Sequence, residues 1–168
     1  MPNVGTEPRL CMTFEPLTPE DPAAQALIAG LSDHLARLYR YQRNHAESVQ
    51  SMKLPNVYFL GAYVDGELIG CGAVKTLDND GEYGEIKSVF VAETHRGRGH
   101  SKAIMHRLET HLRSIGVGAA RLATGTRQPE AISLYAGLGY VRCSPFGRHA
   151  VDSMTIFLEK SLDAQLGR

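Results

Sequence analysis

Apolar residues recur at helical spacing in three stretches and group as short strands elsewhere. Ala24, Leu27, Ile28, Leu31, Leu35 and Leu38 follow the i, i+3, i+4 rule and predict a helix to about Tyr39. Thr18-Pro19-Glu20-Asp21-Pro22 opens it with proline and acids. Before it, Leu10–Glu15 reads as a strand stopped at Pro16, and after it Asn44–Met52 reads as a shorter helix ended before Pro55. Val57–Val64 and Glu67–Leu77 are predicted strands around Asp65-Gly66, a two-residue hairpin signal. A second turn, 78–81, leads to a strand over Glu85–Ala92. Ile104, Met105, Leu108, Leu112 and Ile115 mark a long amphipathic helix closed by Gly116. Ala119–Thr124 is a strand, Pro129–Leu138 a short helix stopped by Gly139, and Tyr140–Cys143 and Val151–Leu158 the last strands. The order β-α-α-β-β-β-α-β-α-β-β, without repeat or long linker, predicts one α/β domain over 1–168, its mixed, mostly antiparallel sheet flanked by helices.

Composition narrows the class. The chain has 168 residues, 43% hydrophobic and 21% charged, enough to build a core without disulfides and unlike a disordered, collagenous or coiled-coil chain. Eighteen Lys and Arg balance 18 Asp and Glu, so no global basic field points to nucleic acid. The three cysteines, Cys11, Cys71 and Cys143, are too far apart for a zinc motif, and their odd number fits a reducing compartment. The N-terminus lacks a signal-peptide pattern, and no apolar run approaches a membrane span. The expectation is a cytoplasmic protein that binds no membrane. His106 and His111 do not share a helix face, and no metal site is expected.

The segment richest in chemistry runs from Ser88 to Lys102. A strand leads through His95-Arg96-Gly97-Arg98-Gly99-His100-Ser101 into the long helix. Small residues let a ligand approach the backbone, and the free N–H groups and positive dipole end of the helix suit a pyrophosphate. A solvated basic turn is the plainer alternative. The Gly-Lys-Ser/Thr of a Walker loop is missing, and Lys102 stands where a dinucleotide fingerprint needs its third glycine.

The loop Arg96-Gly97-Arg98-Gly99-His100-Ser101 resembles the Arg/Gln-x-x-Gly-x-Gly/Ala acetyl-coenzyme A loop of the GNAT N-acetyltransferase superfamily. Glu85-Ile86-Lys87-Ser88-Val89-Phe90-Val91 resembles that family's fourth strand, and Gln128 to Tyr140 its Asn-x-x-Ala-x-x-Leu-Tyr-x-x-x-Gly-Phe/Tyr helix. Together these cover about Val57 to Val141. The resemblance implies an acyl-CoA acyltransferase fold, with acetyl-CoA as co-substrate. It implies that the pantetheine arm pairs with the backbone of Val89, Phe90 and Val91, and that the pyrophosphate sits on the amides from Arg96 to Lys102. Ser101 replaces the usual Gly or Ala, His100 a common aliphatic, and Gln128 the usual Asn.

By resemblance Glu85 is the general base and Tyr135 the acid that protonates the departing thiolate, with a backbone N–H near Val91 for the oxyanion. The plainer readings are a strand carboxylate paired with Lys87 or Arg121, and a core aromatic. Asn44, His45, Arg148 and His149 fall where the family places its acceptor site, in segments similar to a bacterial subgroup of uncharacterised members. Their hydrogen-bond donors fit a small polar amine that also carries an anionic group. A peptide N-terminus is the other acceptor class, and a non-catalytic acyl-CoA-binding module the reading outside enzymes. A homodimer is compatible with the sequence.

Overall fold

The structure, a computed structural model, describes residues 11–39, 48–79, 81–147, 149 and 151–163. Seven strands form one sheet in the order β1-β2-β3-β4-β5-β7-β6. They are β1 (Met12–Pro16), β2 (Val57–Val64), β3 (Glu67–Asp78), β4 (Glu82–Val91), β5 (Ala119–Gly125), β6 (Val141–Arg142) and β7 (Thr155–Ser161). The helices are α1 (Pro22–Leu38), α2 (Val49–Met52), α3 (His100–Ser114) and α4 (Pro129–Gly137). β4 and β5 are parallel, and every other registered pair is antiparallel.

The predicted punctuation is where the chain turns. Asp65 and Gly66 both have positive φ (48° and 83°), the geometry of a tight hairpin whose twist matches its strands. Gly116 (φ 80°) follows α3, and the Val117 N–H reaches the Leu112 carbonyl at 2.9 Å, closing the helix end.

Strand alternation sends side chains to two faces. On one, Ile104, Met105, Leu108 and Leu112 of α3 pack with Leu60, Ile69, Val74, Ile86 and Leu122 of the sheet, and Tyr135 and Leu138 of α4 join them. On the other, Ala24 and Leu27 of α1 and Met52 of α2 cover Phe59, Cys71 and Ala73. A third cluster, Tyr83, Phe146 and Phe157, lies where β4, β5 and β7 meet.

Four expectations shift. The second helix is only Val49–Met52, and residues 44–47 lie outside the described residues, as does Leu10 of the expected first strand. β4 starts at Glu82, because the hairpin pairs out to Asp78↔Glu82. The strand expected over Tyr140–Cys143 is only Val141–Arg142. The last strand is Thr155–Ser161, not Val151–Leu158. Asp152 accepts the Met154 N–H at 2.8 Å, holding the segment before Thr155 in a turn, and pairing with β5 then carries the strand to Ser161.

A buried ion pair ties α3 to β7. Glu109 is 1% exposed; Lys160 Nζ lies 3.1 and 3.0 Å from its two oxygens, and Tyr140 Oη donates to Oε1 at 2.9 Å. Burial and then the Glu109 charge push the Tyr140 phenol up, so it stays a donor. Removing Lys160 leaves the buried Glu109 carboxylate to the Tyr140 hydroxyl and to the more distant Arg113 Nη2 at 3.9 Å. Lys160→Ala is therefore expected to destabilise the fold by about 3 kcal/mol, read by urea denaturation. Adding Glu109→Gln should recover part of the loss, and a simple sum of the two single effects would disprove the coupling.

Candidate active site

The site begins with a break in the sheet. β4 and β5 pair only at Gly84↔Ala120 and Glu85↔Arg121. Past Glu85 the strands diverge, although β4 continues along β3 to Gly70↔Val91. The cause lies within β4. Lys87 pairs with Ala73 and Phe90 with Cys71, so Ser88 and Val89 together oppose Gly72. Ser88 takes a left-handed backbone, φ 54°. This is a β-bulge, which bends its strand and re-aims its backbone groups. The backbone edge of residues 86–91 facing β5 thus has no registered strand partner among the described residues.

Glu85 stands at the vertex of this opening. A Cβ on the neighbouring Gly84 would lie 2.3 Å from Leu112 of α3, so Gly84 faces α3 and Glu85 the opposite side. Glu85 is buried. Its Oε1 contacts His149 Nε2, and Lys87 Nζ lies 3.6 Å away. Arg121, expected as an alternative partner, sits beside it in register. The guanidinium of Arg121 lies over the rings of Tyr83 (4.6 Å) and Phe146 (5.7 Å), with Nε 3.6 Å from Glu159. A carboxylate taken from water requires such charge partners.

Tyr135 approaches from the α3 face. It belongs to the main core, edge-on to Tyr140 at 5.9 Å. Burial pushes its phenol up to about 12, so it carries its proton throughout the neutral range. The two candidate catalytic groups therefore lie on opposite faces of the sheet.

Beyond β4, a short 3₁₀ turn (Glu93–His95) leads to the glycine-bearing loop. Gly97 and Gly99 have φ 76° and 79°, and a Cβ on either would meet nothing within 4 Å. These left-handed positions leave open space beside the backbone. The Ala103 N–H bonds the Gly99 carbonyl (3.2 Å), which leaves the amides of His100, Ser101 and Lys102 at the free N-terminal end of α3. Arg96 turns back: its Nε donates to the Val91 carbonyl at 2.9 Å and its guanidinium covers Phe90 at 5.1 Å. His100 points inward. It is buried, its Nε2 has no hydrogen-bond partner, and burial, then His95 and Arg98, lowers its pKa. Its Nε2 is thus shielded, and its amide lies at the free end of α3. Open glycines, a free helix end and an unpaired strand edge fit a pyrophosphate joined to an extended amide-bearing arm.

Gln128 precedes α4, with Nε2 3.4 Å from the Tyr39 hydroxyl. Of the four residues expected around the acceptor, Asn44, His45 and Arg148 lie outside the described residues. His149 is described, and its Nε2 contacts Glu85 Oε1. The sequence held no direct sign of that contact. The nearest was Phe146-Gly147, an aromatic anchor followed by a turn residue. Among the described residues, no group of three or more His, Cys, Asp or Glu is placed to hold a metal ion, and no helix is long and apolar enough to cross a membrane.

A mixed sheet opening between its two parallel strands, with a glycine turn and long helix beside the gap, is the architecture of the acyl-CoA N-acyltransferases. The chain belongs to the Acetyltransferase (GNAT) family, whose sequence profile matches residues 28–140. It is 35% identical over 162 residues to the IAA acetyltransferase of Azospirillum brasilense, covering 96% of this chain and 100% of that protein. It is 31% identical over 120 residues to the N-acetyltransferase YsnE of Bacillus subtilis, covering 70% and 78% of the two chains. Among solved structures, a Klebsiella pneumoniae protein described as an acyl-CoA N-acyltransferase superposes with TM-score 0.76 at 30% identity, covering 90% and 97%. The PaiA N-acetyltransferase of Thermoplasma acidophilum, in complex with coenzyme A, shares the fold at TM-score 0.67 and 19% identity, covering 90% and 99%. The protein is an acetyltransferase, of a family that uses acetyl-CoA.

With a pyrophosphate on this turn, Gly99→Val, which forces a branched side chain into a left-handed position, and Arg98→Glu, which reverses the local charge, should each weaken coenzyme A binding. The expected loss by titration calorimetry is at least about tenfold, the worth of one charge-assisted contact. Wild-type affinity in both variants would remove the pyrophosphate from this turn.

Proposed function

We propose that this acetyltransferase moves the acetyl group of acetyl-CoA directly to the primary amine of a small polar molecule that also bears an anionic group. The observation that carries this reading is the buried carboxylate of Glu85 at the vertex of the β4–β5 opening, with Lys87, Arg121 and His149 around it. The carboxylate's charge draws an ammonium group to the vertex, and the carboxylate can accept its proton directly or through water. The cations beside it favour an acceptor whose other end is negative. An acceptor held at both ends presents its nitrogen in a fixed direction, as direct transfer needs.

Bound acetyl-CoA supplies an acetyl thioester. The amides of residues 96–102 hold its pyrophosphate, and the free edge of Val89, Phe90 and Val91 pairs with its pantetheine arm. A backbone N–H in the re-aimed stretch near Val91 steadies the oxyanion. Gln128, before α4, adds a side-chain contact to the arm. Tyr135, protonated at neutral pH because it is buried, gives its proton to the departing sulfur.

Glu85→Gln is expected to lower kcat while coenzyme A affinity stays within error. Tyr135→Phe should lower kcat by about 10²-fold, the low end for a positioned acid. Its basic limb should match the wild-type limb, because a phenol at about 12 does not titrate in the assay range. Full activity in Tyr135→Phe would assign that proton to water. A panel of amino acids, amino sugars, polyamines and short peptides at equal concentration tests the acceptor. Preference for polyamines or lysine-rich peptides would refute the anionic-acceptor reading.

A further inference from the structure

The proton-accepting end of the site has two members, and they differ in reach. The Glu85 side chain is 6% exposed and that of His149 is 29% exposed. Glu85 Oε1 is the oxygen engaged by His149 Nε2, and also the one nearest Lys87 Nζ. The carboxylate engages Nε2, which leaves Nδ1 as the ring nitrogen that Glu85 does not occupy. The ring is fixed on two sides, edge-on to Phe146 (5.5 Å, 81°) and tilted against Phe157 (5.9 Å, 65°). Phe146 is itself buried, and Gly147 (φ 61°) turns the chain so that His149 lands over Glu85. The imidazole meets Glu85 from β4 and the uncharged Phe157 from β7; Lys87 of β4 faces the same Glu85 oxygen, and Arg121 of β5 lies over Phe146, the ring edge-on to His149.

We propose that His149, through Nδ1, takes the proton from the acceptor amine, and that Glu85 is the positioning residue that fixes its tautomer and steadies the imidazolium. This inference rests on the direct-transfer reading above. The acceptor's ammonium gives one proton to Nδ1, which passes it to solvent, and becomes the nucleophile. Its nitrogen bonds to the acetyl carbon to form a tetrahedral oxyanion, which collapses as the carbon–sulfur bond breaks. A second nitrogen proton then leaves to water, and the sulfur receives one from Tyr135, which is reprotonated from solvent. The arrangement follows the general rule that a catalytic imidazole is held by a carboxylate on its far nitrogen.

The test measures kcat/KM against pH for wild type, His149→Gln, His149→Ala and Glu85→Gln with acetyl-CoA and a responsive amine, with coenzyme A affinity as the folding control. His149→Gln should lose about 10²-fold in kcat, keep its coenzyme A affinity and lose the acid limb. Glu85→Gln should lower kcat yet keep an acid limb, because the imidazole that takes the proton is still present. His149→Ala should recover activity in proportion to imidazole added to the medium. Wild-type kcat and an intact acid limb in His149→Gln, with both lost in Glu85→Gln, would overturn the proposal: the carboxylate would then act directly, and the transfer reading would stand. Failure of the wild-type enzyme to acetylate any amine in the panel would remove the transfer reading itself, and this proposal with it.

Discussion

The organising constraint is the two-against-one bulge of Ser88 and Val89 opposite Gly72. A straight β4 would follow β5 along its length, and the backbone groups facing that strand would be consumed in pairing. Two residues set against one bend the strand, and pairing with β5 ends at Glu85. The opening, the free strand edge and the placing of Glu85 at the vertex all follow. A left-handed backbone at a serine is unfavourable by about 1–2 kcal/mol, and the surroundings hold it. The Ser88 carbonyl accepts from Cys71 Sγ at 3.4 Å, and Val89 faces Gly72, where a Cβ would stand 2.6 Å from Ile104. The bulge therefore requires a glycine opposite it and a close helix above.

A sheet that opens in its middle must be joined by something other than strand pairing. α3 spans one face, packing on β2, β3, β4 and β5. The Glu109–Lys160 pair carries the connection on to β7. On the other face the end of α1 reaches the loop before α4. The Arg127 N–H donates to the Tyr39 hydroxyl at 3.2 Å, and Arg127 Nη1 donates to the Leu38 carbonyl at 2.8 Å. The phenol fills the place a side chain would take at Gly125, its oxygen 1.6 Å from where a Cβ would stand. Both edges of the gap are thus anchored, so a local break in pairing does not divide the sheet.

Most of the fold was legible because its signals are local. Asp65-Gly66, Gly116 and Gly139 mark turns by backbone conformation alone, and the α3 face shows in the spacing of Ile104, Leu108 and Leu112. The boundaries that moved depend on long-range pairing: Glu82 belongs to β4 through Asp78, and Ser161 to β7 through Ala119. The glycine loop was legible for the same reason as the turns. The contact of His149 with Glu85 was not, since 64 residues separate them and a two-aromatic packing arrangement joins them. Ser88 was equally silent, because serine has no marked preference for the left-handed region that would announce a bulge.

Burying Glu85 explains why its neighbours are cationic and aromatic together. A carboxylate removed from water without compensation loses several kcal/mol of hydration. Here Lys87 and His149 supply charge or hydrogen bonding, while Tyr83, Phe146 and Phe157 exclude water around them. The partners of Glu85 come from different places in the fold. Lys87 extends from the same strand as Glu85, and Arg121 is held over Tyr83 and Phe146. His149 alone comes from a turn outside the sheet, anchored two residues after Gly147. Glu85 is thus placed by strand pairing and His149 by aromatic packing, two independent constraints that meet at one carboxylate oxygen.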